Sequence, residues 1–402
     1  MKTLSPNSTV FPPRAPDETS GLLDRSLSAL QSWVEKRDYC GYEPFDILSS
    51  PYLRSPWVRQ WPLGIAFIQF GKRLAGTKTR LLLGVPQSKN PKAFALFLSA
   101  YCDLARVGDP GREAAFYLKS ELQRLRSPNE PNYCWGYDWD HVSRAGTMPA
   151  FSPNCIATTF AAHALLDMAE VFGDAEAYDM AQSAGRFLIS RLNRSVDTPQ
   201  QLCLSYTPRD RGEIFNASVL VGALQTRLQP DDPERTQIAR RTMAYLVAQQ
   251  RPDGSWYYGA SRRHHWIDGF HTAYNLSALL AYQRRTGDTQ FAFALRHGYQ
   301  YYVDNFFLAD GAPKYFHNSL YPIDIHSCSQ AIVTFCDFAV DDPKAMERAV
   351  RVARWTIAHM QAEDGSFFFQ INRFWTNRTP YMRWGQAWMM HALARLKQRY
   401  RE

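Results

Sequence analysis

One unit recurs along this chain: a loop dense in aromatic and titratable residues that runs directly into an apolar helix. It is plainest over residues 253–288, DGSWYYGASRRHHWIDGFHTAYNLSALLAYQRRTGD. There Leu276, Leu279, Leu280 and Tyr282 recur at helical spacing and Gly287-Asp288 supplies a stop signal. Asp310-Gly311 opens a second copy, APKYFHNSLYPIDIHS running into SQAIVTFCDF, and Asp364-Gly365 a third, SFFFQINRFWTNRTPYMR running into WGQAWMMHALARL. Weaker copies upstream place apolar helix starts near Ala93, Cys155, Phe215, His271, Ser327 and Arg383, a period of about 56 to 62 residues.

Short breaks at Gly108-Asp109-Pro110, Gly173-Asp174, Asp231-Asp232-Pro233, Gly287-Asp288 and Asp341-Asp342-Pro343 part each apolar helix from a more polar one, such as AEAYDMAQSAGRFLISRL. Apolar helices next to polar ones read as inner and outer members of helical hairpins. The expected fold is therefore all-α: an (α/α) toroid, or barrel, of about six helical hairpins. Because the aromatic loops all precede the apolar helices, closure gathers them at one rim, beside helix N-termini whose partial positive charge suits an anionic ligand. Residues 21–402 are expected to form one domain, with residues 1–20, rich in proline and lacking an apolar core, as a flexible arm and not a signal peptide. A first helix is expected over residues 21–37, a second apolar segment over 57–74, and another helix start at NPKAF, residues 90–94, with proline near its first turn.

No apolar run approaches the roughly 18 residues of a membrane span, so no span is expected. Seven cysteines, an odd number with no CxxC pair, point to reduced thiols and a cytoplasmic protein. The formal charge of +8 favours an anionic partner, but the basic residues are scattered and form no dense run, which argues against nucleic acid. An acidic polymer or sugar remains. Oligomeric state is not readable from the sequence.

The rim loops supply the candidate site. YCWGYDWDHVSR brings stacking rings, acids and a guanidinium together in Trp135, Tyr137, Asp138, Trp139, Asp140, His141 and Arg144; the alternative is that Trp135 and Trp139 plug the base of the loop. Tyr206, Arg209 and Arg211 precede the third inner helix, where Asn216 caps it or lines the cavity. The loop of residues 253–271 offers Tyr258, Arg263, His264, His265, Trp266, Asp268 and His271; the next offers Tyr315, His317, Tyr321, Asp324 and His326. The last offers Arg373, Arg378, Tyr381 and Arg383, and Tyr274 lies within the fourth inner helix. His271 and His326 hold equivalent places in successive units and titrate near neutrality, which suits acid/base work. Asp268 and Asp324 are placed to orient them, to hold a hydroxyl, or to cap a helix. The histidines show no HxxxH or HExxH spacing, so neither a metal nor a cofactor is expected.

Several of these segments carry a resemblance. GYEPFDILSSP, WGYDWDHVSR, the SYTP of residues 205–208, DGSWYYG, WIDGFHTAYNL and YPIDIHS resemble the motifs of a bacterial family encoded in exopolysaccharide gene clusters, often mislabelled as delta-aminolevulinate dehydratase. The dehydratase label implies a β/α barrel, and this chain shows no strand–helix alternation. The resemblance implies an α/α-toroid linked to polysaccharide metabolism, a fold similar to that of the catalytic domains of glucuronyl C5-epimerases and polysaccharide lyases. Removing the weakly acidic C5 proton of a uronate needs cations on the carboxylate and an acid/base group on each ring face, types this chain offers in abundance, so a C5-epimerase of glucuronyl residues in an acidic, heparosan-like polysaccharide is the expected activity. His271, Tyr321 and His326 would then handle protons, and Arg144, Arg263 and Arg383 would hold carboxylates. A lyase shares the first step. A hydrolase would draw two carboxylates from Asp138, Asp140, Asp268 and Asp324. A non-catalytic polysaccharide-binding protein is a further alternative, whereas a terpenoid cyclase is disfavoured by a polar rim and the absence of a DxDD motif.

Overall fold

The computed structural model describes residues 18–53, 76–143, 146–229 and 231–401 of the 402-residue chain. The expected apolar segment 57–74, Arg144 and most of the expected arm lie outside the described residues. The helices are α1 (Glu18–Glu35), α2 (Thr77–Leu82), α3 (Pro91–Arg106), α4 (Arg112–Arg124), α5 (Cys155–Phe172), α6 (Ala175–Arg191) and α7 (Phe215–Leu228). They continue with α8 (Pro233–Ala248), α9 (Gly269–Thr286), α10 (Ala292–Asn305), α11 (Ile325–Phe338), α12 (Ala345–Met360) and α13 (Trp388–Arg401). A π-helical turn, Met382–Ala387, leads into α13. The first helix therefore begins three residues earlier than its apolar face predicts, since Glu18 to Ser20 add polar turns that pattern alone does not count.

Six helices, α3, α5, α7, α9, α11 and α13, form an inner ring in which each packs on the next and α13 packs back on α3. The expected (α/α) toroid is what the chain forms. Inner helices are buried nearly all round: every residue of α3 from Pro91 to Leu104 is buried. Outer helices bury one stripe, as α4 does with Ala115, Leu118, Lys119 and Leu122. The outer partner of the last inner helix is α1, from the other end of the chain. Ser26 of α1 donates to Gln361 at 2.8 Å and Trp33 Nε1 to Asp364 at 2.9 Å, so the ring closes by pairing the first helix with the last hairpin.

One expectation is corrected. Helix α5 has an 18-residue window of mean hydropathy 1.3, long and apolar enough by composition to cross a membrane. Its apolarity has another cause here: 67% of it is buried inside the ring. All seven cysteines are free and six are buried.

The strands are short and confined to the connections that precede inner helices. β1 (His141–Ser143) pairs with β2 (Gly146–Met148), β3 (Arg194–Asp197) with β4 (Leu202–Leu204), and β6 (Gln370–Ile371) lies between β5 (Ile323–Asp324) and β7 (Thr376–Asn377), all antiparallel.

A repeated hydrogen bond stitches these loops around the ring. The first N–H of an inner helix has no partner within its own helix, and here it donates to an aromatic residue's carbonyl in the following loop. Cys155 donates to Tyr206 (2.9 Å), Phe215 to Tyr258 (3.2 Å), Gly269 to Tyr315 (2.9 Å) and Ile325 to Phe369 (3.1 Å). Met382 donates to Tyr42 at 3.0 Å, which returns the series to the first loop. The sixth position is Pro91, which has no N–H; there Ser88 and Asn90 side chains hold Asp138, beside Tyr137, instead.

The three Asp-Gly turns have one architecture. Gly254, Gly311 and Gly365 all have positive φ, +91°, +96° and +92°, and each turn docks on the next outer helix. A Cβ on Gly365 would stand 2.6 Å from the Ala29 backbone of α1, whereas one on Gly108, at φ +82°, meets nothing within 4 Å. Gly365→Ala is thus expected to cost about 3 kcal/mol or more of stability, and Gly108→Ala about 1 kcal/mol, in urea unfolding; equal losses would show that docking on α1 contributes nothing.

Candidate active site

Four of the inner helices begin at a side-chain cap: Asn90, Asn154, Asp268 and Asp324 accept from N–H groups of the first turns of α3, α5, α9 and α11. At α9 the cap also orients a histidine. One oxygen of Asp268 accepts from the His271 backbone N–H at 2.9 Å; the other accepts from Trp266 Nε1 (2.9 Å) and lies 2.7 Å from His271 Nδ1. The carboxylate thereby holds the proton on Nδ1 and leaves Nε2 as the free ring nitrogen. Asn216, Tyr258, Asp268, His271 and Asn275 line a tight cleft at this point. The Asn216 and Asn275 side-chain oxygens are buried with no hydrogen-bond partner among the described residues.

On the neighbouring helix α11, His326 lies deeper, at 2% exposure. Its Nε2 is 2.8 Å from the Tyr274 hydroxyl of α9. Its ring stacks on Phe270 at 4.5 Å and packs against Trp384 and Trp388. Burial first, then the basic groups Lys92, Arg383 and His271 nearby, hold its pKa well below the ordinary imidazole range, which favours the neutral ring. Asp324 does not meet that ring. It caps α11 through the His326 N–H at 2.8 Å and accepts from Gln370 and Trp384, and burial pushes its carboxyl up to about 6. The Tyr274 ring lies 6.1 Å from each imidazole, between the two histidines.

The wall beside them is cationic and aromatic. Tyr137 and Tyr206 meet hydroxyl to hydroxyl at 3.1 Å, and Arg383, in the π turn, lies 5.1 Å over the Tyr137 ring and pairs with Glu43 at 3.0 Å. Burial pushes Glu43 up to about 8, against the pull of Arg383.

The structure thus brings Tyr137, Tyr206, Asn216, Tyr258, Asp268, His271, Tyr274, His326 and Arg383 together. Other candidates lie at the edge of this group or away from it. Asp138 is held by Ser88 and Asn90, and Asp140 accepts from the Ala150 N–H at 3.0 Å. Trp266 stacks on Tyr258 at the rim, His265 stacks on Tyr257 and Arg263 is exposed. Tyr315 packs on Phe270, and the His317 ring nitrogen lies 3.3 Å from the Ile267 carbonyl. Tyr321 is 36% exposed on the rim, and Arg378 is exposed over the Phe368 ring. Tyr381 is a core residue, 1% exposed, packed on Phe369 and under Arg80. Trp135 takes the plugging role, donating to the Leu122 carbonyl in the last turn of α4; Trp256 repeats this at Leu246 of α8. Sequence reasoning missed Lys92, Glu43, Phe160, Trp384 and Trp388. A lone lysine in the first turn of PKAFALFLSAYC, a helix start followed by six apolar residues, was the available signal.

No protein-family model matches this sequence, and no curated protein matches it. Solved structures do match its fold. The cellobiose 2-epimerase from Bacillus thermoamylovorans B4167 superposes with a TM-score of 0.62 at 13% identity, over 78% of this chain and 87% of that one. The cellobiose 2-epimerase from Spirochaeta thermophila DSM 6192 gives 0.59 at 14% identity, over 96% and 98%. An unsaturated glucuronyl hydrolase specific for heparin gives 0.55 at 13%, over 78% and 87%. At these identities the likeness establishes the α/α-toroid architecture.

Tyr274→Phe removes the one hydrogen-bond partner of the buried His326 Nε2 and is expected to cost about 1 to 3 kcal/mol of stability. In the wild type, imidazole NMR signals of His326 should keep their neutral pattern from pH 7.5 down to pH 6; a protonation step centred near the ordinary histidine value would contradict this electrostatic assignment.

Proposed function

We propose that this protein is a carbohydrate-modifying enzyme, a C5-epimerase of D-glucuronyl residues in an acidic, heparosan-like polysaccharide. The observation that carries the reading is two separately supported proton-handling pairs on neighbouring inner helices: His271 with Asp268 at 2.7 Å, and His326 with Tyr274 at 2.8 Å. C5 of a uronate is weakly acidic because its carboxylate resists further negative charge. Inverting it requires one group to remove the proton, another to return one from the opposite face, and cations to hold the carboxylate. His271 Nε2 serves as the base and the Tyr274 hydroxyl, backed by neutral His326, as the acid. Arg383 supplies positive charge, and the unpartnered oxygens of Asn216 and Asn275 accept sugar hydroxyls. In this reading Tyr274 takes the role first expected of Tyr321, because its hydroxyl meets His326 while Tyr321 stands exposed. Arg263, Trp266, Tyr315, Tyr321 and Arg378 remain to flank a longer chain at the rim.

The carboxylates weigh against glycoside hydrolysis, which needs two that are available to substrate. Asp138, Asp268 and Asp324 have both oxygens engaged by protein donors, and Glu43 is paired with Arg383. The motif resemblance to exopolysaccharide-cluster proteins and the names of the structural neighbours support the substrate class. Two of those neighbours, cellobiose 2-epimerases, favour a second reading. It keeps the proton chemistry but applies it at C2, next to a reducing-end aldehyde.

Incubation in heavy water with a glucuronyl polysaccharide should place deuterium at C5 without creating a double bond, as read by NMR. His271→Asn and His326→Asn should each lower exchange by at least roughly a hundredfold, the usual scale of one acid/base group, while Tyr321→Phe should keep most of it. Absorbance of a 4,5-unsaturated uronate would identify a lyase instead, and deuterium at C2 of cellobiose with none at C5 would favour the second reading.

A further inference from the structure

The proton chemistry leaves one buried cation unused. Lys92, in the first turn of α3, is 3% exposed. Its ammonium lies 4.1 Å from the centre of the Phe160 ring, 5.1 Å from Trp388 and 5.7 Å from Tyr274, the tyrosine that meets His326. No carboxylate among the described residues reaches it as an ion pair. The charged and titratable groups around it are Arg383 from the π turn, Glu43 from the loop after α1, Cys155 from α5, Tyr274 from α9 and His326 from α11.

This is a poor place for a permanent ammonium. The start of a helix repels positive charge, Arg383 repels it again, and the attraction of three rings is smaller than the cost of stripping an ammonium of water. Burial first, then Arg383, therefore hold the amine well below the usual lysine range, with Glu43 pulling the other way. Arg383 is equally incomplete. It is 3% exposed, and its Nε is buried with no hydrogen-bond partner among the described residues. Its Glu43 partner is itself inclined to stay protonated. Two basic side chains with donors to spare share Glu43, while the Asp138 carboxyl that also acts on Arg383 is taken up by Ser88 and Asn90, which leaves the pair able to take a further anion.

We propose that Lys92 and Arg383 form the receptor for the substrate's carboxylate, with Lys92 taking up a proton as the anion enters. The proposal rests on the uronyl reading above and adds the residue that recognises the acid group. A neutral sugar offers nothing to discharge the site, so the same pair discriminates uronates from their uncharged counterparts. The proton comes from solvent and returns to it when the ligand leaves. The ammonium then formed lies beside the carbon that loses its own proton, where it stabilises the charge developing on the carboxylate.

Calorimetric titration of the full chain with methyl β-D-glucuronide at pH 7.5, in two buffers of different ionisation enthalpy, counts the protons taken up. The wild type should bind with an uptake of about one proton per sugar, and methyl β-D-glucoside should bind with none. Lys92→Met, close in volume and without the amine, should bind the glucuronide at least roughly tenfold more weakly and without proton uptake, while its thermal melting stays level or rises. The wild-type proton count stands even if that variant fails to fold. Glucuronide binding with no proton uptake, wild-type affinity in Lys92→Met, or no glucuronide binding would each overturn the receptor. The uronyl reading would survive the first two results if deuterium still enters C5. Conversely, proton uptake without any C5 exchange would support the receptor and end the epimerase reading.

Discussion

An inner helix begins with N–H groups that nothing in its own turn can satisfy, and this protein satisfies the first of them with the next loop's backbone. The five bonds from Cys155, Phe215, Gly269, Ile325 and Met382 to Tyr206, Tyr258, Tyr315, Phe369 and Tyr42 do more than complete a helix end. Each fixes an aromatic residue at a set height on the rim, and each ties one repeat to its neighbour. A loop rich in rings would otherwise be free to collapse over the opening. Where proline removes the donor at Pro91, side chains replace it, through Ser88 and Asn90 to Asp138. The aromatic wall is therefore a consequence of how the ring closes, and the chemistry is set inside it.

The same helix starts determine the electrostatics. Asp268 is a helix cap that uses its second oxygen to hold His271, while Asp324, the cap one repeat later, spends its oxygens on Gln370 and Trp384 and leaves His326 to Tyr274. The two histidines, which the sequence places at equivalent points of the repeat, stand one residue out of register, His271 third in its helix and His326 second, so one meets the cap carboxylate and the other turns among rings. That one-residue offset turns a structural repeat into an asymmetric site. The inner helices point their positive ends towards the same region, and Arg383 adds to that potential.

The architecture was largely legible because its period is physical. Apolar helices that must be buried all round alternate with helices buried on one stripe, and the Gly-Asp and Asp-Asp-Pro breaks mark where each pair reverses, so inner helix starts read at Ala93, Cys155, Phe215, His271, Ser327 and Arg383 lie close to those observed. Closure through α1 was not readable in this way, since pairing between residues 26 and 361 leaves no local pattern. For the site, the histidine loops stood out by composition, and His271, Asp268, Tyr274 and His326 do converge. Composition could not separate Tyr381, buried on Phe369, from Tyr258, which lines the cleft, because both are tyrosines in aromatic loops. Arg263 and Arg378 attracted notice as charges, whereas Lys92 did not, since one lysine at a helix start resembles a surface residue until the ring closes over it. Burial is a long-range property, and it is what converts an ordinary lysine into a candidate receptor.

The most direct test is a crystal structure of the His326→Asn variant with a bound glucuronyl oligosaccharide. The account predicts one uronyl ring seated beside Tyr274, its C5 within about 3.5 Å of His271 Nε2, the reach expected of a reacting pair, and its carboxylate on Lys92 and Arg383. A sugar held only at the outer rim, or one whose carboxylate faces solvent while its glycosidic oxygen meets an acidic side chain, would contradict it.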